Sequence, residues 1–293
     1  MLRVTDNMIF NALNQSVMVN KGRQMQAQEA ATRAMEGTAD PRDPLAVSRV
    51  NVLESTLTRL DTMGRVASVA EQELSVTEST IAESVQVVSR IQELMISSAN
   101  ETLSESDRMA ISYEVTELKE QLLSLANTQV SGSFVFGGYK TGSEPFTAAG
   151  VYQGDSGQRT VEVAPGLTVK MNIPGDEIFS PTGGENIFTV LSDFETNLQN
   201  NDPDAIQDSI GAIADSHKQL INAQSTAGIN LKTVLSGKDL RTEIEANVLQ
   251  QKAAVVDADP HEAFTNFTET QYGLQAALAQ AQKIISSLDS GFR

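Results

Sequence analysis

The clearest pattern of apolar positions lies near the C-terminus of the chain. From residue 264 to 288, steps of three and four residues mark a line that is apolar at all but one position, with Thr, Gln, Glu, Ser and Ala between. So narrow a line is typical of a coiled-coil seam. Its members are Phe264, Phe267, Gln271, Leu274, Leu278, Ala281, Ile285 and Leu288. Because a lone helix would leave this seam in water, the segment needs a partner.

The N-terminal segment is one candidate for that partner. Residues 2–35 have a weaker helical seam, and Gln and Asn fill much of the remainder. Such a helix is marginal by itself, since little apolar surface is buried without a partner. It either packs within the chain as an ordinary amphipathic helix or folds only on assembly. Its apolar positions are Ile9, Leu13, Val17, Ala27, Ala31 and Ala34.

A long helix is predicted next, opened by Asp43 as a capping residue and Pro44 in the first turn. It runs from Leu45 to about Ala99, with a weak point at Gly64. A helix of about 55 residues would be roughly 80 Å long at 1.5 Å per residue, which few compact domains need. A shorter helix begins at Ser104, where Asp107 nearly completes a capping box. The short connection predicts that this helix is an antiparallel neighbour of the first.

Helical spacing returns at Asn186 for a short helix, and a second long helix follows from Ile206 to Val256. Gly228 and Gly237 are its weak points. The second long helix is about as long as the first, so the two can lie side by side.

Between these helical regions the apolar period changes to two. Residues 133–136 and 151–155 are predicted strands, and residues 159–163 and 167–173 flank an Ala-Pro-Gly turn. Two alternating runs joined by such a turn predict a β-hairpin. A small β insertion is therefore expected at residues 132–183.

The predicted elements read almost as a palindrome, which pairs the two ends of the chain. The fold class is mainly α: long antiparallel helical rods with paired terminal coiled-coil helices and a small β insertion domain. Three domains are expected. They are a terminal coiled-coil domain at 1–43 and 257–293, a rod domain at 44–131 and 184–256, and an outer β domain at 132–183.

Composition and charge argue against several classes of function. The net charge of −17 disfavours binding to nucleic acid or to an anionic membrane surface. The chain has no cysteine, which excludes disulfides and thiolate-bound metals. No apolar run approaches a membrane span. Asp6, Asn7, Asn11 and Asn14 interrupt the N-terminal segment, so we expect no cleavable secretory signal and any export must use another route.

The sequence offers little catalytic chemistry. His217 and His261 are the two histidines, and neither lies in a catalytic motif. One glycine-rich stretch has the spacing of a phosphate-binding loop, but Gly138 and Tyr139 stand where that loop needs Lys and Ser or Thr. The acidic pairs lack calcium-loop spacing. We therefore predict no enzyme, no catalytic or metal-binding residues and no cofactor.

Three stretches resemble a known family. Residues 37–49 read GTADPRDPLAVSR, residues 131–146 read SGSFVFGGYKTGSEPF, and residues 256–288 contain the C-terminal seam. They resemble the flagellin superfamily of bacterial flagella, and most closely its hook-associated junction proteins. Pro44 and Leu45 stand where flagellins usually have Ala-Ala, and the chain ends in a more polar SLDSGFR than is usual.

The resemblance implies a structural protein that leaves the cell through the flagellar type III export channel. It would assemble between the other hook-associated protein and the first flagellin subunits, in contact with copies of itself, after an export chaperone has held its C-terminal helix. The two seams are the predicted interface: Ile9, Leu13, Val17, Phe264, Phe267, Leu274, Leu278, Ala281, Ile285 and Leu288. A short flagellin and a cytoplasmic coiled-coil adaptor are the alternatives.

Overall fold

The computed structural model describes residues 2–36, 38, 41, 43–100, 102–181, 183–256 and 260–290, with side chains for all but 2–7, 9, 10, 260 and 285–290. The elements are mostly long helices, which confirms the mainly α class. In chain order they are α1 (Leu2–Glu36), α2 (Pro44–Ser98), α3 (Glu105–Ala126), β1 (Gln129–Val130), β2 (Ser133–Phe134), β3 (Thr160–Ala164), β4 (Leu167–Lys170), α4 (Gly175–Ile178), α5 (Ile187–Gln199), α6 (Pro203–Val256) and α7 (Pro260–Ser290).

Capping side chains fix where the long helices begin. The Asp43 carboxylate accepts hydrogen bonds from the backbone amides of Leu45 and Ala46, at 3.0 and 3.1 Å, with Pro44 as the first residue of α2. The Asp202 carboxylate accepts one such bond, from the Ala205 amide at 3.0 Å, at the start of α6, which also begins with proline. An aspartate cap followed by proline satisfies the free amides of the first turn and presets its backbone. The predicted start of α2 is therefore confirmed.

The capping box at the start of α3 is also confirmed. The Ser104 hydroxyl accepts a hydrogen bond from the Asp107 amide, and the Asp107 carboxylate accepts one from the Ser104 amide, both at 3.2 Å. These reciprocal bonds satisfy two backbone donors that the helix itself leaves free.

The chain divides into two compact units, Met1–Arg59 with Ile244–Arg293 and Leu60–Glu243. In the first unit, α1 packs against α7. The three-domain division expected from the sequence is a different partition and stays a prediction.

In the second unit, α2 and α6 run antiparallel. Going up α2, the side chains of Glu71, Glu78 and Ser89 contact Lys238, Gln224 and His217 of α6 in turn. The position on α6 falls as the position on α2 rises, as antiparallel rods require. The rod arrangement predicted from the sequence is therefore confirmed for this unit.

The face that α2 buries in this unit follows a strict heptad in which small residues are interspersed among larger apolar ones. Its positions alternate in steps of three and four, and most are under one-tenth exposed: Leu60, Met63, Ala67, Ala70, Leu74, Thr77, Ile81, Ser84, Val88, Ile91, Met95 and Ser98. Buried hydroxyls among them are satisfied within the helix, since the Thr77 and Ser84 side chains donate to the carbonyl oxygens of Glu73 and Thr80. Small seam residues let neighbouring elements approach closely.

The predicted β-hairpin is confirmed. β3 and β4 pair antiparallel with Val161 opposite Val169, and Gly166 has the positive φ of +77° that the turn needs. The hairpin packs its buried side chains onto a patch formed by α2 and α6, which includes Ala67, Ala70 and Val234.

The other predicted strands are shorter than expected. The run at 133–136 pairs only at β2, and the run at 151–155 contributes a single bridge between Phe146 and Tyr152. The cause is side-chain burial: Phe136, Phe146 and Phe179 join an aromatic cluster with ring centroids 5.4 to 5.5 Å apart. Turns and side chains bind much of the nearby backbone, so apolar alternation here reflects core packing rather than a long ladder.

Candidate assembly interface of the terminal helices

The face of α7 that packs on α1 forms a regular heptad. Its less exposed positions alternate in steps of four and three: Ala263, Phe267, Thr270, Leu274, Ala277, Ala281 and Ile284. Ala281 is the most buried of these, at 8% exposure. This spacing is that of a coiled-coil seam. The two ends of the chain therefore contact each other within a single molecule.

The matching face of α1 has the same period. Its less exposed positions are Leu13, Val17, Asn20, Gln24, Ala27, Ala31 and Ala34. Two consecutive positions, Asn20 and Gln24, are polar, and the Asn20 side chain donates to the Ser16 carbonyl oxygen at 3.0 Å. Polar seam residues favour one register at a cost in stability. The seam is therefore specific but built from few large apolar groups.

The predicted interface residues on α7 fall on two different faces. Phe267, Leu274 and Ala281 lie on the seam with α1, whereas Phe264 and Leu278 are 59% and 44% exposed. Gln271, midway between the latter two, is exposed as well. We call Phe264, Gln271 and Leu278 the outer stripe. Its members are spaced by seven, so they share one face of α7 that α1 leaves uncovered.

On α1, Leu13 and Val17 lie on the seam as half-buried side chains. The side chains of Ile9, Ile285 and Leu288 fall outside the described residues. Sequence reasoning missed Ala263, Thr270, Ala277 and Ile284 of α7 and the two polar seam positions of α1. A search for heptads that admitted alanine, threonine and amides would have found them, because the period itself is unbroken.

One ion pair joins neighbouring turns of α1. Arg33 and Glu29 of α1 approach to 3.9 Å one turn apart on the same helix. Exposed pairs of this kind stabilise a protein by roughly 0 to 1 kcal/mol. The contact between α1 and α7 is lined mainly by small and apolar side chains.

Chemistry elsewhere in the described residues is structural in character. His217 Nε2 lies 2.9 Å from the Ser89 hydroxyl, which is also 2.8 Å from the Val85 carbonyl oxygen of its own helix. His217 is half-buried and His261 is exposed. Among the described side chains, no group of His, Cys, Asp or Glu is arranged to hold a metal. None of the described helices combines the length and apolarity needed to span a membrane.

Comparison with known proteins matches this architecture. The family of the bacterial flagellin N-terminal helical region matches residues 4–141. Flagellar hook-associated protein 3 of Salmonella typhimurium is 23% identical, over 94% of this chain and 95% of that protein. The flagellar filament 31.3 kDa core protein of Treponema maltophilum is 24% identical, over 82% of this chain and 80% of that protein. The crystal structure of Xanthomonas campestris FlgL has the same fold, with a TM-score of 0.62 and 20% identity over 69% of this chain and 99% of that one.

The long rods, the β insertion and the paired terminal helices together have the fold of a flagellin-type structural protein, and residues 4–141 match the N-terminal helical region of that family. The chain is similar to hook-associated protein 3 along nearly its whole length. The resemblance drawn from residues 37–49, 131–146 and 256–288 is thereby confirmed.

Proposed function

We propose that this protein is a structural junction subunit of the bacterial flagellum, which joins the hook-associated zone to the flagellin filament and so supports motility. The observation that carries the proposal is the outer stripe. The seam between α1 and α7 is already occupied, yet Phe264 and Leu278 remain in solvent beside it. A stripe with this heptad spacing suits packing against a further helix, and in the flagellum that helix belongs to a neighbouring subunit.

The same stripe supports a transient partner before assembly. We propose that an export chaperone covers it, and that the chain then passes through the flagellar type III channel to the outside of the cell. The physical reason is that an apolar helical stripe exposed in the cytoplasm favours aggregation unless it is covered. Contacts with the other hook-associated protein, with flagellin and with copies of this chain follow export.

The proposed role requires no catalysis, and we propose that the protein is not an enzyme. The Ser89 hydroxyl and the His217 ring are held inside the pair α2 and α6, where they pack the two rods together. A junction subunit needs such contacts to keep its rods rigid under load.

A short flagellin is the second candidate, and the similarity to a filament core protein favours it. The two roles differ in self-association. A flagellin would polymerise alone into long filaments, whereas a junction subunit would stop at a short zone. Electron microscopy of the purified chain at high concentration separates them, and long filaments of this chain alone would favour the flagellin.

A deletion strain tests the junction role. Without this protein, we expect hooks to form while flagellin is shed as monomer into the medium. Electron microscopy of the cells and immunoblotting of the medium measure both outcomes. Normal filaments on the deletion strain would overturn the proposal.

The outer stripe is tested by complementing that strain with Leu278→Asp. We expect loss of filaments with normal helix content of the purified protein, because a carboxylate there is tolerated in water but not in a helix contact. Gln280→Asp is the matched control: it adds the same charge two residues along, at an exposed position on another face of α7. Equal filament numbers for both variants would show that the outer stripe is not the contact.

A further inference from the structure

The methionines of this chain differ in solvent exposure according to the element on which they lie. The strongly exposed ones among the described residues all lie on α1, and we call them the α1 methionines: Met8, Met18, Met25 and Met35. Their exposures are 67, 72, 61 and 72% in that order. Elsewhere the thioethers are covered: Met63, Met95 and Met171 are under one-tenth exposed and Met109 is half-buried. Since the chain has no cysteine, thioethers are its only sulfur groups.

The α1 methionines are also the main apolar groups on the open surface of that helix. Met18 and Met25 are seven residues apart and therefore share one face, which is not the seam face of Leu13 and Val17. Val19 is the other large apolar side chain exposed on α1 among the described residues. Methionine is flexible and polarisable, so such a face can adapt to differently shaped partners.

We propose that the α1 methionines are a site of modification by peroxide oxidants, and that their oxidation prevents assembly through the terminal helices. The thioether sulfur attacks one peroxide oxygen, so that an S–O bond forms and the O–O bond breaks. Sulfur loses two electrons and becomes the sulfoxide, and the second oxygen leaves as water after proton transfer. The oxidant, hydrogen peroxide, comes from the surroundings of the cell.

Oxidation to the sulfoxide would make the exposed surface of α1 less able to pack against a neighbouring helix. It converts a flexible apolar group into a polar one with a strong hydrogen-bond acceptor. Packing that group against a neighbouring helix would bury an acceptor without a donor. Oxidised chains would therefore be excluded from the growing structure, and chains already assembled would be shielded. The second half of this inference rests on the proposed junction function.

The chemical half is tested on the purified full-length chain. After brief treatment with hydrogen peroxide, we expect peptide mass spectrometry to find one added oxygen on each α1 methionine. Met63, Met95 and Met171 should react slower by an order of magnitude or more, since susceptibility follows exposure. Equal oxidation of the exposed and buried sets would overturn the proposed site.

The assembly half is tested by adding purified chain and flagellin to cells of the deletion strain and counting filaments. We expect peroxide-treated chain to lose activity and methionine sulfoxide reductases to restore it. A variant with Met8→Leu, Met18→Leu, Met25→Leu and Met35→Leu keeps the apolar volume and should stay active after treatment. If the treated wild type remains active, or the variant is equally sensitive, the link from oxidation to assembly is wrong. If cells given the untreated wild-type chain form no filaments, the proposed junction function is wrong instead. The peptide mass spectrometry then still shows whether the α1 methionines are the oxidised residues.

Discussion

Gly237 of α6 lies where the β3–β4 hairpin rests on the helix, and a methyl group there should destabilise the fold. A Cβ built on Gly237 would come within 2.5 Å of Val163 Cγ2 and 3.3 Å of Leu167 Cδ2. Val163 is fully buried and β-branched, so it has little freedom to turn aside. Gly228, nine residues earlier on the same helix, has nothing within 4 Å of such a Cβ. The two glycines therefore form a matched pair.

The two substitutions should change the free energy of unfolding in opposite directions. Replacing a helix-interior glycine with alanine stabilises by about 0.5 to 1 kcal/mol when the site is open. Overpacking a filled core costs about 1 to 3 kcal/mol. Gly228→Ala should therefore raise the free energy of unfolding by about 0.5 to 1 kcal/mol, and Gly237→Ala should lower it by up to about 2.5 kcal/mol after the helix gain is subtracted.

Urea denaturation of the full-length chain, followed by circular dichroism, measures both changes. With a slope of about 2 kcal/mol per molar urea, the midpoint should fall by up to about 1.2 M for Gly237→Ala and rise slightly for Gly228→Ala. In a Val163→Ala background the cost of Gly237→Ala should largely disappear, because the clashing methyl is gone. If Gly237→Ala stabilises as much as Gly228→Ala, the hairpin does not rest on Gly237 and the packing described above is wrong.

Two further predictions concern buried polar contacts of the Leu60–Glu243 unit. Arg108 is 3% exposed and donates to the carbonyl oxygens of Ser98, Asn100 and Leu103 and to the Asn201 side chain. Because hydrogen bonds from a charged group contribute about 1.5 to 3 kcal/mol each, Arg108→Met should lower the free energy of unfolding by about 3 kcal/mol or more in a denaturation assay. A loss below about 1 kcal/mol would contradict this prediction. Desolvation raises the pKa of Glu195, but hydrogen bonds from Lys119 and Thr116 and the lysine charge outweigh it, so the net pKa lies below the usual 4.5. Because the folded carboxylate binds its proton less tightly than the unfolded one, this stabilisation is present above pH 4.5 and lost as the pH falls further. Lys119→Met should therefore make the free energy of unfolding fall less steeply with acid. An unchanged dependence of that free energy on pH would refute the prediction.

The sequence predicted the helices well because their signals are local. The starts of α2 and α3 depend on a capping side chain and a proline or acidic partner within one turn, so Asp43 and Asp107 could be interpreted without the fold. The hairpin was predictable for the same reason, since alternation and Gly166 define it within a dozen residues.

The buried face of each helix was harder to predict, because it depends on elements that are distant in the sequence. Along α7 an apolar seam can be drawn through either Phe264 or Ala263, since both lines include Phe267 and Leu274. Only the position of α1 selects the line through Ala263. In α2 the seam uses Ala67 and Ala70, which are too small to be recognised as core from sequence.

Small seam residues would also let one chain use its terminal helices twice, as the proposed function requires. The seam of α1 and α7 is set by its heptad period but holds alanine, asparagine and glutamine at most positions of α1. Burying a large aliphatic side chain contributes about 1.5 to 3 kcal/mol and an alanine far less, so this contact is weak for its length. A weak seam can bring the helices together in the free chain and still be rearranged when α7 meets a chaperone or a neighbouring subunit. Two further large apolar groups, Phe264 and Leu278, lie on the outer stripe, where the contact of the assembled state would form.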